Sequence, residues 1–431
     1  MTATTWTNAS TSRLADSSPQ PLWANVSTWF ALFITLFITV GGGIKLNYAP
    51  IALALTAMAG NSIKQIAIKL CGLFLMLLMV STRSRVIWNA CLNARFFLVL
   101  PILAFASVLW SQSPALTLLE AATLALTTLF AVYLYVRFPG DQLISFLTGA
   151  AAVALLACTF VVVFFPNIGV DALQEDSWRG VFSQRNNCAV YCVCFLVIGL
   201  HYRARHLAQY FLRATVLLLA LLFIVMSGSR TGWFVTVFAV GVTFGLRLIQ
   251  RMPWRVRLLF LMTLTIPAGA VILLVAAHLN ELLGLIGKDP TLSQRTIIWL
   301  TVLSPIAKHP FVGYGYSAFW LGLAGESANT VLITGWAENQ AQSGYLDVML
   351  QLGLLGLIPL VWMLGRGLIQ ASRALNPRNT AATQAATVLL LVLIVENVGE
   401  SGFVAPLNIL WFYTLLALLI LDRSRKPAEV L

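Results

Sequence analysis

About a dozen apolar stretches of membrane-spanning length fill this chain of 431 residues and leave little room for any other kind of fold. The candidate stretches are 27–43, an ambiguous 47–80, 96–110, 115–136, 142–165, 187–203, 209–227, 230–248, 254–277, 344–366, 381–398 and 404–422. Charged residues make up 10% of the chain, whereas soluble domains carry about 25%. Because a spanning helix needs about 20 mostly apolar residues, the sequence predicts an all-α polytopic membrane protein with about 12 transmembrane helices, or one more if both halves of 47–80 cross.

A polar gap between residues 278 and 343 interrupts the apolar stretches. Lipid does not tolerate irregular polar backbone, so this segment is expected to form one large loop subdomain outside the bilayer and to carry the active site. The remainder of 27–431 is predicted to be one integral membrane domain. Residues 1–26 form a polar tail that lacks the basic region and cleavage site of a signal peptide.

Short basic loops indicate the orientation of the spans, because cytoplasmic loops carry an excess of Lys and Arg. The basic loops are 81–95, 202–206, 247–257, 366–378 and 422–426. An even number of spans separates each from the next, so all can lie inside with both termini. The loops expected outside are 110–114, 166–186, 227–230, 278–343 and 399–403. These basic loops carry much of the Lys and Arg behind the net charge of +12, and no nucleic-acid partner is expected.

The six cysteines are expected to be small buried hydrophobes, because nearly all lie in or beside apolar stretches. They are Cys71, Cys91, Cys158, Cys188, Cys192 and Cys194. None forms a CxxC pair with His partners, so the sequence predicts no metal site. The stretch 81–95 alternates Arg with apolar residues and is expected to lie along the inner membrane interface.

Four arginines on the expected outer face run against the charge bias that sets topology. They are Arg179, Arg185, Arg230 and Arg295. The guanidinium fork matches phosphate oxygens, and Arg185 and Arg230 each precede a predicted helix whose first N–H groups add donors. The pattern indicates a phosphate or pyrophosphate group presented by a lipid. The alternative for each arginine is a side chain that reaches a lipid headgroup.

Two further polar positions accompany these arginines. Glu400 lies near the outer end of a span, where a carboxylate needs a partner, and one of the outer arginines is the candidate. His309 precedes the sequence PFVGYGYSAF, where a solvated turn is the simpler interpretation. The glycines of this motif favour a turn that packs backbone tightly under aromatic residues rather than a phosphate loop.

The order and spacing of these motifs resemble the O-antigen ligase and polysaccharide polymerase superfamily, which includes exopolysaccharide polymerases. The matching segments are SVLWSQSP at 107–114, GVFSQRNN at 180–187, SGSRTGW at 227–233, SQRTIIW at 293–299, HPFVGYGYSAF at 309–319 and QSGYLDVMLQLGLLG at 342–356. Each motif is weak by itself, but the joint order is specific and covers about residues 100 to 420.

The resemblance implies a GT-C-like glycosyltransferase of the bacterial inner membrane that works on the periplasmic face. It implies undecaprenyl-diphosphate-linked glycan as donor and a reaction that needs no metal, cofactor or nucleotide sugar. The pyrophosphate-binding residues of the family map onto Arg185 and Arg230, with Asn186 and Ser229 beside them and Arg295 as a third cation.

The sequence departs from the family at Gln342, which stands where ligases have a His. Glutamine orients a hydroxyl but takes no proton at neutral pH. The candidate catalytic residues are therefore Gln342, Arg295 and Glu338, with Glu338 the first candidate for the base and His309 and Glu400 the next. The acceptor-positioning candidates are Ser343, Tyr345, His309 and Glu400.

The missing His favours a polymerase of lipid-linked repeat units, for O-antigen or exopolysaccharide. The alternative within the family is a ligase that transfers glycan to lipid A–core. Alternatives of a different class are a transporter or flippase and a non-catalytic assembly partner. Expected partners are the lipid-linked glycan, membrane lipids, and a chain-length regulator or a flippase.

Overall fold

The computed structural model describes residues 25–41, 62–171, 176–251, 295–335, 339–373 and 380–423. The helices are α1 (Val26–Thr39), α2 (Ser62–Ser81), α3 (Ser84–Asn93), α4 (Phe96–Ala106), α5 (Pro114–Arg137), α6 (Asp141–Phe164), α7 (Pro166–Gly169), α8 (Arg185–His201), α9 (Leu207–Met226), α10 (Arg230–Arg251), α11 (Arg295–Lys308), α12 (Ala328–Thr334), α13 (Gly344–Arg373), α14 (Ala381–Gly399) and α15 (Ile409–Arg423). Two short antiparallel strands, β1 (Val170–Asp171) and β2 (Ser177–Trp178), pair Val170 with Trp178.

The described helices make the chain an all-α membrane protein. Six of them, α5, α6, α9, α10, α13 and α14, are long and apolar enough to cross a bilayer. Four further apolar helices, α1, α4 with its 3₁₀ extension, α8 and α15, are shorter. The predicted span 254–277 and the first part of 47–80 lie outside the described residues, so the total of about 12 spans stays a prediction.

The ambiguous stretch 47–80 ends in a bent pair of helices. Helix α3 turns away from α2 by 85° at a break near residue 82. Val86 and Trp88 of α3 are exposed, whereas Ile87 and Cys91 pack into the core. The chain therefore does not continue as one straight span through 81–95, which agrees with the predicted surface helix.

Helices α8 and α14 form the centre of the bundle. Every residue of α8 from Cys188 to Ile198 is buried, and α14 buries its Ala-rich first half. Small side chains let helix backbones approach closely in a membrane. Helix α8 packs against α9, α10 and α14, and α10 also packs against α14. This arrangement brings the first residues of α8 and α10 to the same end of the bundle as the last residues of α14.

Five of the six cysteines are buried, which confirms the prediction for them. Cys71 is exposed, so the prediction is wrong there: α2 turns this side chain away from the packed face.

The glycine-rich segment 309–317 inserts at a kink in α13. The kink is at Gly353, whose φ of 59° and ψ of −153° are accessible to glycine alone. Four backbone hydrogen bonds join the segment to the helix on both sides of the kink: Tyr314 N to Leu350 O, Gly315 N to Gln351 O, Leu354 N to Pro310 O and Leu355 N to Phe311 O. The interpretation of this motif as a tight packing turn is confirmed.

A second, smaller apolar cluster holds the described part of the predicted loop against α13. Its buried members are Ile298, Val302, Tyr314, Phe319, Ala341 and Leu350. Helix α11 and the segment that leads into α13 are thereby fixed relative to the bundle.

Candidate active site

Four helix ends meet at one point of the bundle. Helices α8, α10 and α11 begin there with Arg185, Arg230 and Arg295, and α14 ends there before Glu400. Helix N-termini carry a partial positive charge, and helix C-termini a partial negative one. Three helix N-termini and three arginines therefore lie near the Glu400 carboxylate.

Glu400 is the centre of a hydrogen-bonded network that we call the Glu400 cluster, made of Asn186, Ser229, Thr231, Arg295 and Glu400. Glu400 Oε1 accepts from Arg295 Nη2 at 2.5 Å and from Asn186 Nδ2 at 3.1 Å. Ser229 Oγ donates to Asn186 Oδ1 at 2.9 Å, and Arg295 Nη1 donates to Thr231 Oγ1 at 3.4 Å. The cluster thus links four helix ends, and it pairs Glu400 with Arg295, one of the arginines predicted to lie outside.

The Glu400 carboxyl is 3% exposed, and its Oε2 has no hydrogen-bond partner among the described residues. Burial raises the pKa of Glu400, while the Arg295 charge and the Asn186 and Arg295 hydrogen bonds partly lower it again. A buried charge needs such compensation, because isolated burial is costly. Arg295, at 19% exposure, is therefore largely neutralised by Glu400.

Ser229 shapes the tight turn that presents Arg230. Its Oγ accepts from Gly232 N at 3.2 Å and so caps α10. Gly228, before it, has a φ of 59°, and a Cβ built there would lie 3.9 Å from Arg185 Nη1. Arg185 and the turn before Arg230 are therefore close neighbours.

Arg185 and Arg230 are the available cations of the site. Arg230 is exposed and Arg185 is half-buried. Within the described parts of the chain, neither guanidinium has a recorded hydrogen bond or ion pair. An anion can therefore bind them without breaking a contact, whereas Arg295 already has a carboxylate partner.

The segment before α13 is a strained turn fixed to the Glu400 segment. Gln342 has a φ of 53°, and Ala341 N donates to both oxygens of Asp347 at 3.0 Å. Ser343 N donates to Ser401 Oγ at 3.0 Å, and Gly344 N donates to the backbone oxygen of Glu400 at 3.0 Å. The Gln342 turn and the Glu400 cluster therefore share one segment of backbone.

A cavity of about 440 Å³ adjoins the cluster between α10, α13 and α14. Its wall is formed by Thr231, Phe234, Val235, Tyr345, Ile394, Val395, Glu396, Val398 and Gly399. Tyr345 is fixed there by a 3.0 Å hydrogen bond from its hydroxyl to Ile394 O. Gly399 lines the cavity, and a Cβ built on it would lie 3.1 Å from Arg295 Nη1. The Arg295 guanidinium therefore lies at the edge of a mostly apolar cavity.

Two comparisons with known proteins find similarity to this chain. Residues 215–361 match the protein family described as O-antigen ligase. The chain is also 25% identical over 384 residues to the exopolysaccharide production protein ExoQ of Rhizobium meliloti (strain 1021), and the match covers 84% of each chain. Both matches support the resemblance of this chain to the O-antigen ligase and polysaccharide polymerase superfamily.

The superfamily match covers only part of the site. Ser229, Arg230, Arg295, Gln342 and Tyr345 lie inside residues 215–361, whereas Arg185, Asn186 and Glu400 lie outside this range. Of these three, Asn186 and Glu400 contact the matched region through the Glu400 cluster.

The structure brings most of the predicted site residues together. Arg185, Asn186, Ser229, Arg230, Arg295 and Glu400 meet at the four helix ends, and Gln342, Ser343 and Tyr345 lie on the adjoining turn and helix start. Their catalytic roles stay predictions.

Two predicted residues have contacts elsewhere, and a third lies outside the described residues. His309 is exposed and its ring packs edge-on against Tyr314 at 4.7 Å between centroids, with no recorded contact to the Glu400 cluster. Glu338 lies outside the described residues. Arg179 donates through Nε to Ile168 O at 2.8 Å, so it fastens the hairpin segment rather than facing the cluster.

Sequence reasoning missed the residues that hold the Gln342 turn. Asn397 Oδ1 accepts from Gly402 N at 2.8 Å and Phe403 N at 2.7 Å, and Asp347 accepts from Trp320 Nε1 at 2.8 Å. Polar side chains inside apolar helices are the signal that could have found them.

Among the described residues there is no group of three His, Cys, Asp or Glu side chains that could hold a metal ion.

Proposed function

We propose that this protein polymerises undecaprenyl-diphosphate-linked oligosaccharide repeat units on the periplasmic face of the bacterial inner membrane. The observation that carries the proposal is a pair of arginines, Arg185 and Arg230, that have no recorded partner among the described residues and begin helices at the Glu400 cluster, which adjoins an apolar cavity. A polyprenyl diphosphate has this combination of an anionic head and a hydrocarbon chain. The membrane fold and the superfamily support a lipid-linked glycan as substrate.

The proposed reaction is a displacement at the anomeric carbon of the donor glycan. The acceptor hydroxyl forms a bond to this carbon, and the bond from the carbon to the diphosphate oxygen breaks. The electron pair leaves with undecaprenyl diphosphate. Arg185 and Arg230 bind the diphosphate, and Arg295 adds charge at its edge. Preorganised charge of this kind often lowers the barrier of an enzymatic reaction more than any other single effect.

Gln342, Ser343 and Tyr345 are proposed to position the acceptor, because their turn is fixed to the backbone of Glu400. The proton of the attacking hydroxyl passes to a carboxylate. Among the described residues, Glu400 is the proposed acceptor of that proton, since its Oε2 is unpaired. Glu338 remains a predicted base outside the described residues.

A second candidate function is ligation of the glycan to lipid A–core. The family that matches residues 215–361 is described as O-antigen ligase, which favours this reaction. The relative from Rhizobium meliloti is an exopolysaccharide production protein, which favours polymer formation. Both reactions use the same donor chemistry, and they differ in the acceptor.

The experiment is the glycan-lipid profile of a deletion strain that is complemented with wild type, Arg230→Ala or Arg205→Ala. Arg205 is the matched control, because it is an exposed arginine in a loop predicted to be cytoplasmic. We expect single repeat units in the deletion strain and in Arg230→Ala, and long chains with Arg205→Ala. Losing one preorganised donor lowers the rate by about 10²- to 10³-fold.

Other profiles would assign a different function. Long chains that stay on undecaprenyl diphosphate and never reach lipid A–core identify a ligase. Repeat units that accumulate only on the cytoplasmic face identify a flippase. Full complementation by Arg230→Ala rejects the diphosphate site and supports the alternative that Arg230 contacts a lipid headgroup.

A further inference from the structure

Glu396 is a buried carboxyl without a partner in the wall of the cavity. It is 1% exposed, and neither of its oxygens has a hydrogen-bond partner among the described residues. The neighbouring wall residues Ile394, Val395 and Val398 are all apolar. Burying a polar group without a hydrogen bond is costly, and a leucine would pack in such a wall without that cost. The described contacts therefore give no structural reason for a carboxyl at this position.

The position of Glu396 along α14 is between the charged and the apolar parts of the site. It precedes Glu400 by one helical turn, which is about 6 Å along the axis and places both residues on the same face. Arg295 lies over Gly399 at the outer edge of the cavity, and Phe234 and Ile394 line its apolar part. An amphiphile with its anionic head at the arginines and its chain in the cavity would have its head-to-chain junction at Glu396.

We infer that Glu396 is a substrate-binding residue that donates a hydrogen bond to the phosphate carrying the lipid chain. This inference rests on the proposed function, since it takes a polyprenyl diphosphate as the ligand. Phosphate oxygens only accept hydrogen bonds, so the carboxyl makes this contact in its protonated form. Since the described structure holds neither oxygen in a hydrogen bond, the side chain can turn towards the ligand without breaking one.

The role assigned to Glu396 differs from that of Glu400. Glu400 is paired with Arg295 and Asn186, whereas Glu396 recognises the lipid phosphate. A glutamine at position 396 keeps a donor of similar reach, and a leucine removes it while filling the same volume. This pair of substitutions separates hydrogen bonding from packing.

The test is binding of undecaprenyl diphosphate to the purified full-length protein in detergent, followed by thermal shift. Undecaprenol is the matched ligand, because it has the same chain without phosphate. We expect Glu396→Leu to weaken undecaprenyl diphosphate binding by about ten- to hundredfold, as for loss of a hydrogen bond to a charged group. Glu396→Gln should stay within about threefold, and undecaprenol binding should be unchanged in both.

The unliganded proteins supply a second readout. Glu396→Leu should be at least as thermally stable as wild type, because it removes an unpartnered polar group from an apolar wall. A residue with a purely structural role would lose stability and bind the lipid as before. If Glu396→Leu does not fold, Glu396→Met takes its place, since it also lacks a donor. Val361→Leu, a change at an exposed position of α13 outside the cavity wall, is the control and should bind both lipids like wild type.

Two failures are distinguishable. If wild type binds undecaprenyl diphosphate and Glu396→Leu binds it equally well, the role of Glu396 is rejected and the proposed function stands. If wild type binds undecaprenyl diphosphate no better than undecaprenol, the diphosphate site itself is rejected, and the inference about Glu396 falls with it.

Discussion

The ion pair between Arg295 and Glu400 can be tested for structural and catalytic roles at the same time. We predict that Arg295→Met and Glu400→Leu are each unstable and inactive, and that the double variant regains stability but not activity. Each single variant leaves one buried charge without its partner. The double variant replaces the pair by apolar side chains of similar length, which is often neutral for stability.

The structure sets the magnitudes. Removing one partner of a buried pair costs about 3–5 kcal/mol. Arg295→Met should be near the upper value, because Glu400 is 3% exposed and keeps only the Asn186 amide. Glu400→Leu should be near the lower value, because Arg295 is 19% exposed and can turn to water. The double variant should lie within about 1–2 kcal/mol of wild type, the residual cost being the Asn186 amide that loses its acceptor.

The assays are denaturant titration in mixed micelles for the free energy of unfolding and polymer formation for activity. The two singles and the double form a thermodynamic cycle, and the coupling free energy should exceed about 2 kcal/mol for residues in direct contact. Activity of the double variant should stay at least about 100-fold below wild type. If the double variant makes long chains, the pair only fastens helix ends and has no part in the reaction. If the double variant is as unstable as Arg295→Met, the Arg295 and Glu400 charges are not energetically coupled, and the prediction from the ion pair is wrong.

Two further predictions concern the fold. Gly353→Ala should lower the free energy of unfolding by about 2–6 kcal/mol, because alanine disfavours this backbone conformation and is also overpacked there. A Cβ at this position would lie 2.3 Å from the backbone of the inserted segment. Gly365→Ala, on the same helix but with open space at the Cβ, is the control and should be neutral when both variants are measured by thermal unfolding. A cysteine introduced at Lys308 in a Cys71→Ser background, where the remaining native cysteines are buried, should react with a membrane-impermeant thiol reagent in whole cells. A cysteine introduced at Arg205 should react only after permeabilisation. The reverse pattern would show that the predicted orientation is inverted.

Much of the site could be predicted from the sequence because its cations break a rule that most of the chain obeys. An arginine in a loop that is predicted to lie outside opposes the positive-inside bias, and this identified Arg185, Arg230 and Arg295 as individual candidates. The need of a buried carboxylate for a partner likewise pointed from Glu400 to an arginine. Neither argument identified which arginine, because the choice depends on how α11 sits against α14. The structure shows Arg295 in that position, which leaves the other two available.

The residues that were missed have roles that arise only from tertiary packing. Glu396 and Asn397 are adjacent in sequence and face different surroundings: Asn397 holds the backbone at 402–403, and Glu396 lies in the cavity wall. A helical period indicates which residues share a face, but not what that face meets. His309 shows the converse. Its motif suggested proximity to the site, but the segment 309–317 is hydrogen-bonded to α13 on both sides of the kink.

Glu400 joins the two halves of the proposed reaction through different atoms. Its side chain binds Arg295 and Asn186, on the side of the leaving group, and its backbone oxygen accepts from Gly344, on the side of the acceptor turn. A substitution at Glu400 changes the first set of contacts and leaves the second in place. Residues that act as a unit show non-additive effects on rate. Substitutions at Arg295 and Glu400, which are in direct contact, should therefore combine non-additively, whereas substitutions at Arg230 and Gln342, which share no recorded contact, should combine more nearly additively.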